Sequence, residues 1–292
     1  MFPSVPSHIA HTANLRRFGR ALVSYRSGRQ NIVMSISIPR TPWPVDFPDV
    51  IIHCELRERN NYPTYRAAKA GGIAAAQQLV DALLSRDSVK AIAGLIGSRQ
   101  PLVVPVAAIE RGGFNAIPDA MAHVLAADLG LQMAPYDLSQ LSYVAHTRAD
   151  GWHRLVTPAV FAGTVIQGKD YFLVDDHVGF GGTLANMRGY IEANGGRVIG
   201  MTTLTETGGG RKIAVLPETL FMLQEKHGDE LNQFWQQVFG YGTACLTNIE
   251  AGYLCRVESV AAINTRMAAA AATARRQGLP AVRFCQRPSA SP

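Results

Sequence analysis

The segment DYFLVDDHVGFGGTLANMRGYI, residues 170–191, decides how this chain is read. Residues 170–174 are the kind of short apolar run that fills a buried strand, and residues 183–191 have the composition of a helix. Between them stand Asp175 and Asp176, then a turn containing Gly179, Gly181 and Gly182. Two like charges at the end of a buried strand are costly unless something beyond the strand uses them. A glycine-rich loop that opens a helix offers successive unpaired N–H groups and the positive end of the helix dipole, which together suit an anion. Thr183 adds a hydroxyl donor. Paired carboxylates are poor neighbours for a bare phosphate, but they accept hydrogen bonds from sugar hydroxyls and sit well beside magnesium. The composite points to a phosphorylated sugar, with acids on the sugar side and glycines on the phosphate side.

Working outward, the same alternation recurs. Residues 101–109 (PLVVPVAAI) read as a strand, 110–113 (ERGG) as a turn and 116–130 as a helix ending on a glycine. Residues 197–207 (RVIGMTTLTET) read as the next strand. Strands alternating with helices predict an α/β protein with a parallel sheet covered on both faces, whose ligands sit beyond the carboxyl ends of the strands. Upstream, residues 14–25 suggest a helix or loose arm, while 31–38 and 49–58 suggest a strand pair joined by the proline-rich 39–48. Residues 63–86 predict a helix that Gly71-Gly72 weakens. Beyond 217 the chain reads as helices over 217–228, 229–240 and 257–278, closed by a disordered tail. The expected division is an N-terminal arm and strand pair over 1–62, a core over 63–216 and a helical extension over 217–292.

The run FLVDDHVGFGGTL resembles the signature of the type I phosphoribosyltransferases, which bind phosphoribosyl pyrophosphate (PRPP): a hydrophobic strand, two acids, a short loop and a Gly-Thr pair opening a helix. The likeness spans about residues 88–206 and implies a core of that family's fold. It implies that Asp175 and Asp176 hold the ribose hydroxyls, and that Gly179, Phe180, Gly181, Gly182 and Thr183 cradle the 5-phosphate. Arg111, Gly112 and Gly113 then resemble the family's pyrophosphate loop. Magnesium would be the cofactor, met by Asp175 through water and by Glu110. Residues 141–158, with His146, Arg148, His153 and Arg154, fall where the family has a flexible catalytic loop. The implied activity is transfer of the phosphoribosyl group to a nitrogen acceptor, such as a nucleobase, with release of pyrophosphate; Asp175, Asp176 and Arg111 would be the catalytic groups.

Two positions depart from the family pattern. Phe180 stands where a hydroxyl residue usually bonds the 5-phosphate, a loss of about 1 kcal/mol. Gly179 stands where purine-salvage members carry an acidic general base, which disfavours hypoxanthine or guanine as the acceptor. These departures keep open a second reading, a non-catalytic PRPP- or nucleotide-sensing regulator that acts through its helical extension.

Composition bounds the rest. The chain has 292 residues, 47% hydrophobic and 17% charged, the balance of a packed globular protein. Its charge of +6 favours anionic ligands, but the basic residues are scattered and nucleic acid is not expected as a partner. No apolar run is long enough for a membrane span, so a soluble, cytoplasmic protein is expected. Residues 1–45 carry six arginines and no acid, which suits a basic arm or a transit segment. Cys54, Cys245, Cys255 and Cys285 form no CxxC pair, and His53 with Glu55 lacks the PCxxC of a zinc deaminase. The alanine-rich stretch 267–278 suggests close helix packing or self-association, so residues 217–277 are the expected surface for a homo-oligomer or protein partner.

Overall fold

The structure, a computed structural model, describes residues 21–27, 30–36, 38–106, 109–110, 113–141 and 150–282. Strands β1 (Ala21–Ser27) and β2 (Gln30–Ile36) pair antiparallel. The chain then places β3 (Ile51–Ile52) and runs through α1 (Leu56–Asn61), α2 (Tyr65–Lys69), α3 (Ile73–Leu83) and α4 (Arg86–Ile96). Strand β4 (Leu102–Pro105) follows, then the hairpin β5 (Ile109–Glu110) and β6 (Gly113–Phe114), helix α5 (Ile117–Leu129) and β7 (Gln132–Met133). A small ribbon, β8 (Ser139–Gln140) with β9 (Phe161–Ala162), flanks α6 (Gly151–Val156). The signature segment forms β10 (Asp170–Val178) and α7 (Gly182–Ala193), followed by β11 (Arg197–Glu206). Helices α8 (Pro217–Phe239), α9 (Asn248–Cys255) and α10 (Val260–Arg276) lead to β12 (Ala281–Val282), which pairs with β1.

The central sheet is parallel, in the order β3-β11-β10-β4-β7. Alternate side chains divide it into two buried faces. Val103, Phe172 and Val174 join an apolar cluster with Leu79, Ile92, Ile117 and Met121. Leu102, Val104, Tyr171 and Leu173 join another with Leu184, Met187 and Ile191 of α7. A further cluster holds Trp235, Phe239, Leu254, Ile263, Met267 and Ala271 of the C-terminal helices, together with Leu155 and Val156 of α6. Of the α10 alanines, Ala271 and Ala274 are buried within this chain, whereas Ala261 and Ala269 are exposed. No helix among the described residues is long and apolar enough to cross a membrane.

Several expectations need correction. The strand pair is β1 with β2, not 31–38 with 49–58, because the segment at 49–58 supplies only Ile51–Ile52, and these pair with β11. Leu56–Asn61 is helical instead; the Glu58 carboxylate accepts the Glu55 N–H at 2.8 Å and so caps the turn. The helix or loose arm expected over 14–25 is replaced from Ala21 onward by β1, and its earlier residues lie outside the described ones. Gly71, at φ +97°, splits the helix of 63–86 into α2 and α3. Helix α4, capped by Ser85 accepting the Ser88 N–H, was passed over in the sequence. Part of the proposed flexible loop is ordered as α6, whereas 142–149 and the tail from 283 lie outside the described residues.

One contact locks segment 38–50 to α7. A Cβ on Gly189 would lie 1.9 Å from the Pro39 carbonyl oxygen, so only glycine allows this approach. Arg188, beside it, stacks on Trp43 and Phe47 and donates to the Thr41 and Pro42 carbonyls at 3.1 Å. Gly189→Ala is expected to cost about 1–3 kcal/mol by overpacking despite alanine's better helix propensity. Thermal melting checks this, and an unchanged or raised melting temperature would refute it.

Candidate active site

The sheet topology marks one crevice. From β4 the chain moves outward to β7, then returns to the other side of β4 as β10 and continues to β11. The winding direction reverses between β4 and β10, the place where open α/β sheets bind ligands. Pairing of β10 to β4 stops at Val174 opposite Pro105, whereas pairing to β11 continues to Val178. Asp175 and Asp176 are the first residues of β10 past the end of β4.

Both carboxylates are buried, at 8% and 6% exposure. Asp175 Oδ1 accepts the Asp176 N–H at 2.8 Å, and Asp176 Oδ2 lies 2.7 Å from Lys69 Nζ. Burial, then the charge of Asp176, pushes the Asp175 carboxyl well above the usual range. Burial acts the same way on Asp176, but Lys69 and Arg59 outweigh it and hold that carboxyl below the usual range. Arg59 donates to Thr205 Oγ1 at 2.8 Å and stacks over Tyr65. His177 bonds the hydroxyls of Thr205 and Thr207 at 2.9 and 3.1 Å; burial and Arg59 lower its pKa to about 4, so it is neutral at pH 7.

The glycine loop follows directly. Gly181 has φ +77°, and the N–H groups of Gly182, Thr183 and Leu184 are the helix's first, which have no intrahelical acceptor. The C-terminal helices close on this loop. Thr247 Oγ1 donates to the Phe180 carbonyl at 2.5 Å, and the Phe180 ring meets Tyr253 edge-on at 5.3 Å. Arg154 of α6 stands 5.8 Å over the Phe180 ring. Glu250 accepts from Arg40 at 2.6 and 3.0 Å, and its Oε1 lies 2.8 Å from where a Gly182 Cβ would be. Arg40 also donates to Asn186 Oδ1 at 2.7 Å. At the loop itself lies a cavity of about 70 Å³, lined by Asp175, His177, Arg154 and residues 178–184 together with Arg40, Asn186, Trp235, Tyr241 and Glu250. This is well below the roughly 300–1,000 Å³ of small-molecule sites.

The structure thus brings together Asp175, Asp176, Gly179, Phe180, Gly181, Gly182 and Thr183. Gly113 falls in the hairpin after β4, and Glu110 in its other strand. Arg111, Gly112, His146 and Arg148 lie outside the described residues. Arg154 reaches the loop, while the His153 N–H caps its own helix on Asp150 at 2.8 Å. His53 is structural: it accepts from the Ser85 N–H at 3.2 Å and bonds Thr202 at 3.0 Å, and burial lowers its pKa to about 4. Lys69, Arg59, Arg40, Thr247 and Glu250 were missed in the sequence. The one available signal was indirect, in that a buried acid pair needs a cation. Among the described residues no three His, Cys, Asp or Glu side chains form a metal-binding group. Asp175 makes no ion pair among them, so the site fits a magnesium ion only if the substrate's own oxygens supply its other ligands.

No protein-family model matches the chain. It is 46% identical over 231 residues to the Escherichia coli "Protein TraN", covering 79% of this chain and 51% of that protein. An uncharacterized protein of Haemophilus influenzae is 42% identical over 154 residues, covering 52% and 34% respectively. The chain therefore spans about half the length of the first curated relative and about a third of the second. Among solved structures, an adenine phosphoribosyltransferase matches at a TM-score of 0.30 and 16% identity, over 46% of this chain and 71% of that one. The enzyme of the same name from Rhodothermus marinus matches at 0.28 and 22%, over 44% and 73%.

Proposed function

We propose that this chain binds Mg-PRPP in the crevice between β4 and β10 and transfers its phosphoribosyl group to a nitrogen acceptor, releasing pyrophosphate. The observation that carries this reading is the pair of buried carboxylates at the reversal of the sheet, directly followed by a glycine loop that opens a helix. Asp175 and Asp176 hold the ribose hydroxyls, and the charge of Asp176, which Lys69 and Arg59 keep ionised, favours the cationic ring that forms as the anomeric C–O bond breaks. The N–H groups of residues 179–183 anchor the 5-phosphate far from the reacting bond, so binding energy there positions the anomeric carbon. The acceptor nitrogen forms the new bond as pyrophosphate leaves. Magnesium, when bound, neutralises the departing anion. Arg111 and Glu110 are assigned to the same end of the substrate, and the protein is assigned to the cytoplasm. Residues 217–277 are assigned as a surface for self-association or a protein partner.

The test is turnover. Mg-PRPP with a panel of nucleobases and related nitrogen compounds is expected to yield pyrophosphate with at least one acceptor. A second reading, a PRPP sensor, is favoured by the clasp of Thr247, Glu250 and Tyr253 on the glycine loop, which ties that loop to the C-terminal helices. PRPP binding with no pyrophosphate release from any acceptor would exclude the enzyme and leave the sensor.

A further inference from the structure

We propose that the Tyr241 hydroxyl holds the 5-phosphate of the substrate from the side of the C-terminal helices, opposite the first N–H groups of α7. This rests on the PRPP reading above. Tyr241 follows Gly240, whose left-handed conformation (φ 82°) ends α8. Its ring packs 5.7 Å from that of Phe239, with the Arg40 guanidinium 5.1 Å over it. The residue is 7% exposed and lines the cavity at the glycine loop, yet its hydroxyl finds no acceptor among the described residues. The buried Trp235 N–H comes near enough to act on this hydroxyl, but it too has no acceptor in hydrogen-bond geometry. Two donors thus meet where neither is satisfied, and burial raises the Tyr241 pKa, so the hydroxyl keeps its proton.

The side-chain acceptors on the inner wall are already engaged. Glu250 accepts from Arg40 through both oxygens and from the Thr247 N–H at 2.9 Å. Asn186 Oδ1 accepts from Arg40, and both His177 nitrogens are bonded to threonine hydroxyls. Asp175 is left for the ribose. Facing Tyr241 across the cavity are donors: the N–H groups of Gly182, Thr183 and Leu184 and the Thr183 hydroxyl. Donors on two sides, at the positive end of a helix, fit a group made of acceptor oxygens, a phosphate monoester. The cavity, about 70 Å³, is several times the ~10–15 Å³ that one water needs, which gives room for a phosphate group while the sugar stays at the two acids. Phe180 gives the loop no hydroxyl, so the helical extension supplies one through Tyr241.

Ribose 5-phosphate is titrated calorimetrically into the wild type and into Tyr241→Phe, which differ by one oxygen. The variant is expected to bind about tenfold more weakly or worse, the loss of one hydrogen bond to a charged acceptor. It should melt within about 2 °C of the wild type, because the hydroxyl has no acceptor to lose in the free protein. With nitrogen-15 tryptophan in the wild type, the Trp235 indole resonance, assigned with single Trp→Phe variants, should shift when ribose 5-phosphate is added. If ribose 5-phosphate alone gives no heat, Mg-PRPP replaces it in both measurements. Undiminished binding by Tyr241→Phe, or an indole resonance that the ligand leaves in place, would overturn the inference while the wild type's own binding upholds the site. Weaker binding with a melting temperature lower by about 5 °C or more would make the tyrosine structural and overturn it as well. A wild type that binds neither ligand would overturn the site and the inference together. If Tyr241→Phe does not fold, the indole shift in the wild type decides.

Discussion

Asp175→Asn is expected to abolish detectable PRPP binding and, in the same protein, to raise the melting temperature at pH 8 by about 2–4 °C. Burial and the adjacent Asp176 charge raise the carboxyl of Asp175 in the folded state. Such a group's stabilisation is fully present below its unfolded pKa, about 3.9, and is lost as pH rises through the folded value. The wild type therefore loses stability above about pH 4, whereas asparagine has no charge to bury. Its amide oxygen still accepts the Asp176 N–H, so the local backbone keeps its bond. The gain in melting temperature should be small near pH 4.5 and grow toward pH 8, with opposite effects on stability and binding marking a group kept for function. Retained binding would remove Asp175 from the ligand, and equal melting curves at both pH values would show that its burial costs nothing.

The second large effect lies in the clasp. Arg40 and Glu250 are 210 residues apart, and each side chain is 5% exposed. Burial works against the Arg40 charge, but Glu250, with Tyr241 and Cys245, more than offsets it, so the guanidinium keeps its charge. Arg40→Met leaves a buried carboxylate without its cation and is expected to cost about 3–5 kcal/mol. In melting this reads as a fall on the order of 10 °C. Arg40→Met/Glu250→Met removes both charges and should melt above Arg40→Met alone, since apolar replacements of buried pairs are commonly tolerated. Recovery will be incomplete, because Glu250 also accepts the Thr247 N–H that caps α9 and Arg40 also serves Asn186. A double variant that melts below both single variants would contradict this account.

What the sequence made legible follows the range of the forces involved. The strand read at 169–176, its glycine turn and the helix read from Thr183 are written locally in apolar run, glycines and helix spacing; the structure forms β10 and α7 there, with the strand running on to Val178. The break at Gly228 is also local, since that residue at φ 57° interrupts α8 where the sequence divides two helices. The N-terminal pairing was misread although β1 and β2 are neighbours in sequence; only the further pairing of β1 to β12 depends on the other end of the chain. Nothing near residue 51 says that its neighbour is β11. The site divides in the same way. Asp175 through Thr183 announce themselves as one motif, whereas Lys69 reaches Asp176 across 107 residues and was hidden in an ordinary alanine-rich helix. Phe180 looked like a lost hydroxyl; in the fold its carbonyl receives one from Thr247 and its ring packs on Tyr253.

The central claim is that this crevice binds PRPP, and calorimetric titration of Mg-PRPP tests it most directly. The wild type is expected to bind in the micromolar range, about −8 kcal/mol, and Asp175→Asn/Asp176→Asn is expected to show no heat of binding while remaining folded. A folded wild type that gives no heat, or a double variant that binds as tightly as the wild type, would contradict the claim.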